Sequence, residues 1–188
     1  MTDDRSNRHA ELAVQARLGS RSAFDELMRE TKVPLYRFIR RYVGDDDDAY
    51  DVLQEAFISA WGALKGYDER RPFLAWLRAI ALNKCRDFGR RRAVRDRLQT
   101  LLSWILPRHQ DPGPAGGEKD ARLHQLDLAI AALPAFYKEP LLLTAIAGLS
   151  HKQAALELAT TPKAIELRVR RARQQLHKDM GPEPFEPE

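Results

Sequence analysis

Between Gly44 and Asp51 the chain reads GDDDDAYD, and within it DDAYD meets the spacing Asp-Asp-x-x-Asp. On a helix that spacing stacks carboxylates one turn apart, where they can hold magnesium against a diphosphate. Such a site needs a second acidic cluster facing the first. The next acidic stretch, KDARLHQLD at 119–127, is mixed in charge and lies beyond a segment rich in proline and glycine. Two other uses fit the carboxylates better. Asp45 to Asp48 stand at a helix start, where carboxylates cap free N–H groups and favour the positive end of the macrodipole. Asp48, Asp51 and Glu55 then share a stripe opposite the apolar face of the same helix, suited to a basic protein surface. The motif is read as a helix start and a docking stripe, with no metal and no cofactor.

Two basic elements carry different chemistry. In PFLAWLRAIALNKCRDFGRRRAVRDR (72–97), Trp76, Ala79, Asn83, Arg86 and Arg90 project within one sector, and Arg91, Arg92, Arg95 and Arg97 extend the charge. An indole offers a stacking surface, an asparagine can read a base edge, and arginine neutralises phosphate. The alternative for Trp76 is packing against a neighbour, the usual fate of a large aromatic. The second element is SHKQAALELATTPKAIELRVRRARQQL (150–176). Ser150 with Gln153 forms a capping box, and Ala154, Ala155 and Leu158 make the buried side of a short helix. Thr160-Thr161-Pro162 supplies a turn, an N-cap and a proline for the first position of the next helix. There Ile165, Val169, Ala172 and Leu176 make a thin core stripe. Lys163, Leu167, Arg170, Arg171 and Gln174 face away, with Glu166 and Arg173 on a flank. Short helix, tight turn and longer basic helix predict a helix-turn-helix, with a plain helical hairpin as the alternative.

The elements that must position these groups are helical throughout. The chain has 188 residues, 44% hydrophobic and 31% charged, with net charge +4 and pI near 9.3. That suits one or two small soluble domains and hints at a polyanionic partner. Cys85 is the single cysteine, which excludes an internal disulfide and a cysteine-rich zinc site. The polar N-terminus MTDDRSNRHAE lacks the apolar core of a secretory signal, so the expected location is the cytoplasm. Phe24, Leu27, Met28, Leu35, Phe38, Ile39 and Tyr42 recur at helical steps, with a kink expected at Pro34. Val52, Leu53, Ala56, Phe57, Ala60, Trp61 and Leu64 form a second apolar face. Pro72 opens a further helix with Phe73, Leu74, Leu77, Ile80, Ala81 and Phe88 inward. The run LQTLLSWIL (98–106) predicts a last helix packed on the first domain, with Trp104 partly uncovered. PRHQDPGPAGGEKD, with three prolines and three glycines, reads as a flexible linker. Helical pattern resumes at Leu123, Leu126 and Ile130 and runs to about Lys178, and the tail GPEPFEPE cannot hold a helix. The fold class is all-α: two small helical domains joined by a flexible linker, the second containing the helix-turn-helix.

Taken in order, DAYDVLQEAFISAW (48–61), RPFLAWLRAIALNKCRDFGRRR (71–92), LPAFYKEPLLLTAIAGLSHKQAALELA and TPKAIELRVRRAR (133–173) resemble a bacterial RNA polymerase sigma factor of the extracytoplasmic-function (ECF) group. DERRPFLAWL and LTAIAGLS are most similar to the branch associated with metal-resistance regulation. The resemblance implies a region-2-like domain at 10–97, an inter-domain linker at 98–121, a region-4-like domain at 122–180 and a disordered tail at 181–188. It implies docking on the coiled coil of the core polymerase largest subunit through Asp48, Asp51, Gln54, Glu55, Phe57 and Trp61. Minus-ten recognition and melting would fall to Lys65, Arg70, Arg71, Trp76, Asn83, Arg86 and Arg90, with the loop from Lys65 to Arg71 matching one that captures a flipped base. Minus-thirty-five recognition would fall to Ser150, Thr160, Thr161, Lys163, Glu166, Leu167, Arg168, Arg170 and Arg171. Three residues depart from the pattern: Lys138 and Leu167 replace an arginine and a small polar residue, and Pro140 is expected to break the helix before the turn. The implied function is a promoter-specificity subunit with no enzymatic chemistry, partnered by core polymerase, promoter DNA and an anti-sigma factor. A stand-alone helix-turn-helix regulator with a helical interaction domain is the other reading.

Overall fold

The computed structural model describes residues 2–102 and 118–180; within them every regular element is helical. Two compact units divide the chain, Met1–Asp87 and Phe88–Glu188. Of the linker read at 98–121, α4 takes 98–102 and α5 takes 118–121; its middle, 103–117, with Trp104 and Ile105 in it, and the tail at 181–188 lie outside the described residues.

The first unit is built by α1 (Thr2–Arg17), α2 (Arg21–Val43), α3 (Asp46–Ala63), a 3-10 turn (Leu64–Gly66) and the start of α4 (Phe73–Leu102). α1 is a helix the sequence pattern did not announce, because its inward stripe is Leu12, Ala13 and Ala16, mostly small side chains. Small residues let it lie close on α2. Its buried His9 meets the Glu30 carboxylate at 2.9 Å, and Arg8 reaches the other oxygen at 3.2 Å. Ser20 caps α2 by accepting from the Ala23 N–H, and Gly44 ends it in the left-handed region at φ 90°. Pro34 sits inside α2 on an exposed side, so the carbonyl it leaves without a donor faces water.

α4 starts one residue later than expected. The Pro72 carbonyl accepts from Ala75 and Trp76, which makes Pro72 the N-cap. Phe73, Leu77, Ala81 and Cys85 are buried on a four-residue repeat, with Leu82 and Arg78 buried beside them. The helix continues unbroken to Leu102 rather than yielding to a separate last helix, and Leu98 is 54% exposed instead of packed.

The second unit contains α5 (Glu118–Ala132), α6 (Ala135–Ala145), α7 (His151–Glu157) and α8 (Pro162–Met180). Ile130, Leu133, Leu141, Leu142, Leu143, Ala154, Ala155, Ile165, Val169 and Ala172 form its core. Lys138, buried beside them, donates from Nζ to the Ala131 carbonyl at 2.5 Å and so satisfies the C-terminal end of α5. The break expected at Pro140 does not occur: α6 passes through it. An interior proline costs roughly 3 kcal/mol. Pro140 is itself fully buried between Glu139 and Leu141 on a helix buried from Lys138 to Leu143, and burying large apolar side chains returns about 1.5–3 kcal/mol each.

The turn between α7 and α8 holds the one non-glycine residue with positive φ among the described residues, Ala159 at 49°. Thr160 N–H reaches the Ala155 carbonyl at 2.9 Å and Ala159 N–H the Leu156 carbonyl at 3.4 Å, the two bonds of a Schellman end. Glycine usually fills that position. Ala159→Gly should relieve left-handed strain of about 1–2 kcal/mol while adding about 0.5–1 kcal/mol of unfolded-state entropy. The expected net gain is about 0.5–1 kcal/mol, read as a higher urea midpoint for the second unit; an unchanged or lower midpoint would contradict the strain.

Candidate docking and nucleic-acid surfaces

The acidic run divides by job. Asp45 caps α3 by accepting from the Asp48 N–H at 3.0 Å. Asp46 accepts from the Tyr36 hydroxyl at 2.7 Å and from Arg40 Nε at 2.6 Å, tying the head of α3 to α2. Burial first, and then the Asp46 carboxylate, push the Tyr36 phenol above its ordinary pKa. Farther along, Asp51 and Gln54 are exposed, and Asp48 and Glu55 are half-buried. The Glu55 carboxylate lies 4.0 Å from Lys84 Nζ of α4. Phe57 is buried and belongs to the core, whereas Trp61 is 40% exposed and leans on Phe24 with ring centroids 4.9 Å apart.

Beside the stripe runs an open apolar groove of about 460 Å³ between α2 and α3, lined by residues that include Met28, Leu53, Gln54, Ile58 and Trp61. Ile58 is 72% exposed and Tyr50 45%. Sequence reading passed over both because they fall off the main apolar face; the signal was their i, i+8 alignment with Gln54 between them.

The loop after the 3-10 turn is closed on itself. Tyr67 is buried, with its ring against Phe73 at 5.6 Å and Trp76 at 5.1 Å, and its hydroxyl donates to the Arg71 carbonyl at 2.7 Å. Arg71 N–H returns to the Asp68 carbonyl at 3.0 Å. The Asp68 carboxylate accepts from Arg70 through its backbone N–H, Nε and Nη2, at 3.1, 3.0 and 3.1 Å. Those hydrogen bonds hold Asp68 below the ordinary carboxylate pKa. Glu69 pairs with Arg17 of α1 at 2.5 Å. Lys65, Arg70 and Arg71 are exposed along this loop. Trp76 is half-buried, also 5.5 Å from Phe73, so it takes the packed option rather than standing free. Asn83 and Arg90 are exposed and Arg86 half-buried, with the Asn83 amide oxygen 3.2 Å from Arg86 Nη1.

In the helix-turn-helix, Ser150 and Gln153 make the reciprocal capping box, and Thr161 Oγ1 caps α8 by accepting from the Ala164 N–H at 3.2 Å. Thr160 is half-buried in the turn. Lys163 Nζ grips Glu166 at 2.9 and 3.0 Å, which lowers the Glu166 pKa. Arg168 turns inward over the Phe136 ring of α6, 3.9 Å from its centroid, while Arg170 and Arg171 remain exposed. This inward turn had no sequence signal, since it depends on an aromatic 32 residues earlier.

Residues 27–95 match the Sigma-70 region 2 family and residues 123–176 the Sigma-70, region 4 family. ECF RNA polymerase sigma factor SigC of Mycobacterium tuberculosis is 33% identical over 172 residues, 92% of this chain and 91% of that protein. The chain belongs to the ECF group of RNA polymerase sigma factors. Within the group it is similar to RNA polymerase sigma factor CnrH of Cupriavidus metallidurans, with 38% identity over 173 residues, 88% of this chain and 90% of the relative. It also superposes on the structure of CnrH in complex with the cytosolic domain of CnrY, with TM-score 0.68 and 32% identity over 92% of this chain and 97% of that one. In this sigma factor the acidic stripe and the closed loop lie in the region 2 match, and the helix-turn-helix in the region 4 match.

The closed loop makes a measurable expectation. Tyr67→Phe keeps the ring stacked on Phe73 and Trp76 but removes the hydroxyl that holds the Arg71 carbonyl. Amide exchange at Arg70 and Arg71 should quicken about three- to tenfold, the scale of one net hydrogen bond, with α2 and α3 unchanged. Equal exchange in both proteins would mean that the hydroxyl does not close the loop.

Proposed function

We propose that this sigma factor directs core RNA polymerase to its promoters, with docking, strand opening and duplex reading assigned to separate surfaces. The observation that carries the assignment is that Asp51, on the acidic stripe with the half-buried Asp48 and Glu55, stands exposed with Gln54 beside an apolar groove in the first unit, while the basic face of α8 belongs to the second. Stripe and groove suit a basic, partly apolar helical surface, here the coiled coil of the largest core subunit. The loop from Lys65 to Arg71 and the face of Asn83, Arg86 and Arg90 suit an unpaired strand at the minus-ten element. The outward side of α8 suits duplex DNA at the minus-thirty-five element. Opening proceeds by holding unstacked bases, with no covalent chemistry and no cofactor.

The protein acts in the cytoplasm, and no helix among the described residues is long and apolar enough to cross a membrane. The likeness to CnrH, whose solved structure carries the cytosolic domain of CnrY, supports an inhibitor of the same kind and a place beside metal-resistance regulators.

Run-off transcription with core polymerase on genomic DNA tests the whole reading: promoter-directed RNA is expected, and its absence would leave a stand-alone regulator. Asp51→Lys with Gln54→Lys should keep the helical signal and melting temperature, since both side chains are exposed, and should abolish co-elution with core polymerase. Normal co-elution of the folded variant would remove the stripe from the docking surface.

The two DNA surfaces separate by assay. Arg170→Ala and Arg171→Ala should each weaken duplex binding and lower the salt slope by about one unit per lost phosphate contact. Asn83→Ala should leave duplex binding intact and reduce permanganate reactivity at the downstream element; an unchanged footprint would count against Asn83 as a strand contact.

A further inference from the structure

The first turns of α8 present a face on which every side chain but one is charged or already engaged. Ile165, Val169 and Ala172 are buried, and Arg168 is drawn over Phe136. Lys163 and Glu166 hold each other. Between Lys163 on one side and Arg170 and Arg171 on the other sits Leu167, 45% exposed. At 100° per residue it lies about 140–160° around the helix from Ile165 and Ala172, so it points away from the core. A lone exposed leucine is ordinary on a protein surface. Here it stands at the sixth position of the second helix of a helix-turn-helix, among the N-terminal residues that such a helix brings to base edges.

The major groove offers a leucine one matching group. Guanine, adenine and cytosine present hydrogen-bond donors and acceptors there, and thymine alone presents a methyl carbon. A leucine over a polar base edge removes water and returns no hydrogen bond, which penalises the other three bases. Over a thymine 5-methyl it buries apolar surface on both sides. Arg170 and Arg171 beside it can hold the phosphates that keep the helix in register.

We propose that Leu167 is a specificity-determining residue that packs on the 5-methyl group of one thymine in the upstream element, and so makes thymine preferred at that step. The inference rests on the helix-turn-helix being a duplex reader and adds the base feature that it reads. The alternative occupant is a protein inhibitor covering the same leucine.

The test uses the full chain and a random-sequence duplex pool. Duplexes retained by the wild-type protein are resynthesised with deoxyuridine in place of each thymine in turn, which removes only the methyl group. One position is expected at which deoxyuridine weakens wild-type binding about three- to fivefold, the scale of one buried methyl. Leu167→Ser should bind the thymine and deoxyuridine duplexes equally, with the melting temperature unchanged because the side chain is exposed. No sensitive thymine, or the same sensitivity in Leu167→Ser, overturns the proposal while leaving the duplex-reading assignment standing; that result, with Leu167→Ser weakening binding of an inhibitor, assigns the leucine to the protein partner. Failure of the wild-type protein to enrich any duplex overturns both.

Discussion

Asp46 receives hydrogen bonds from Tyr36 and Arg40, and through them the register between α2 and α3 is set. The carboxylate is 66% exposed, so screening keeps the ion pair near the surface scale of about 1 kcal/mol or less. Its importance is geometric. With Asp45 capping the helix from the preceding position, the head of α3 is fixed in direction and in rotation. Tyr50 then stacks on Tyr36 at 4.6 Å, Lys32 lies 5.9 Å above the Tyr50 ring, and the groove runs from there to Trp61. Rotation of α3 by half a turn would carry Asp51 and Gln54 toward the core and bring Val52 and Leu53 to water. The proposed docking surface therefore depends on two aspartates that do not belong to it.

Local chemistry was the part of the molecule legible in the sequence. Ser150 with Gln153, and Thr161 ahead of Pro162, announce helix starts because a cap is made within four residues. Of the acidic stripe, the exposure of Asp51 was legible for the same reason, whereas Asp48 and Glu55 are half-buried and Glu55 lies near Lys84 of α4. What escaped depends on neighbours distant in the chain. α1 hid because alanines carry little hydrophobic signal, although they allow the closest helix contact. Arg168 looked like its neighbours Arg170 and Arg171 until Phe136 was placed beneath it. Phe57 carried the same apolar character as Trp61, and only packing separates a buried core side chain from one at the groove edge.

Proline was informative about starts and misleading about interiors. Pro72 and Pro162 stand where a missing N–H costs nothing. Pro140 reads in the sequence as a helix break, yet it is kept inside α6 by the buried residues around it. Local propensity is a weak term once a helix face is buried on both flanks.

The loop closed by Tyr67 and Asp68 has a kinetic consequence. A loop that must order around its target slows capture, because the ordering entropy is charged at the moment of encounter. Here Tyr67, Asp68 and Arg70 already hold the turn in the free protein. In the proposed role, the time needed to trap a base is then set by the DNA, through how often the target step unstacks. Promoters with pliant pyrimidine–purine steps at that point would open quickly, and stiff ones slowly, with the protein unchanged.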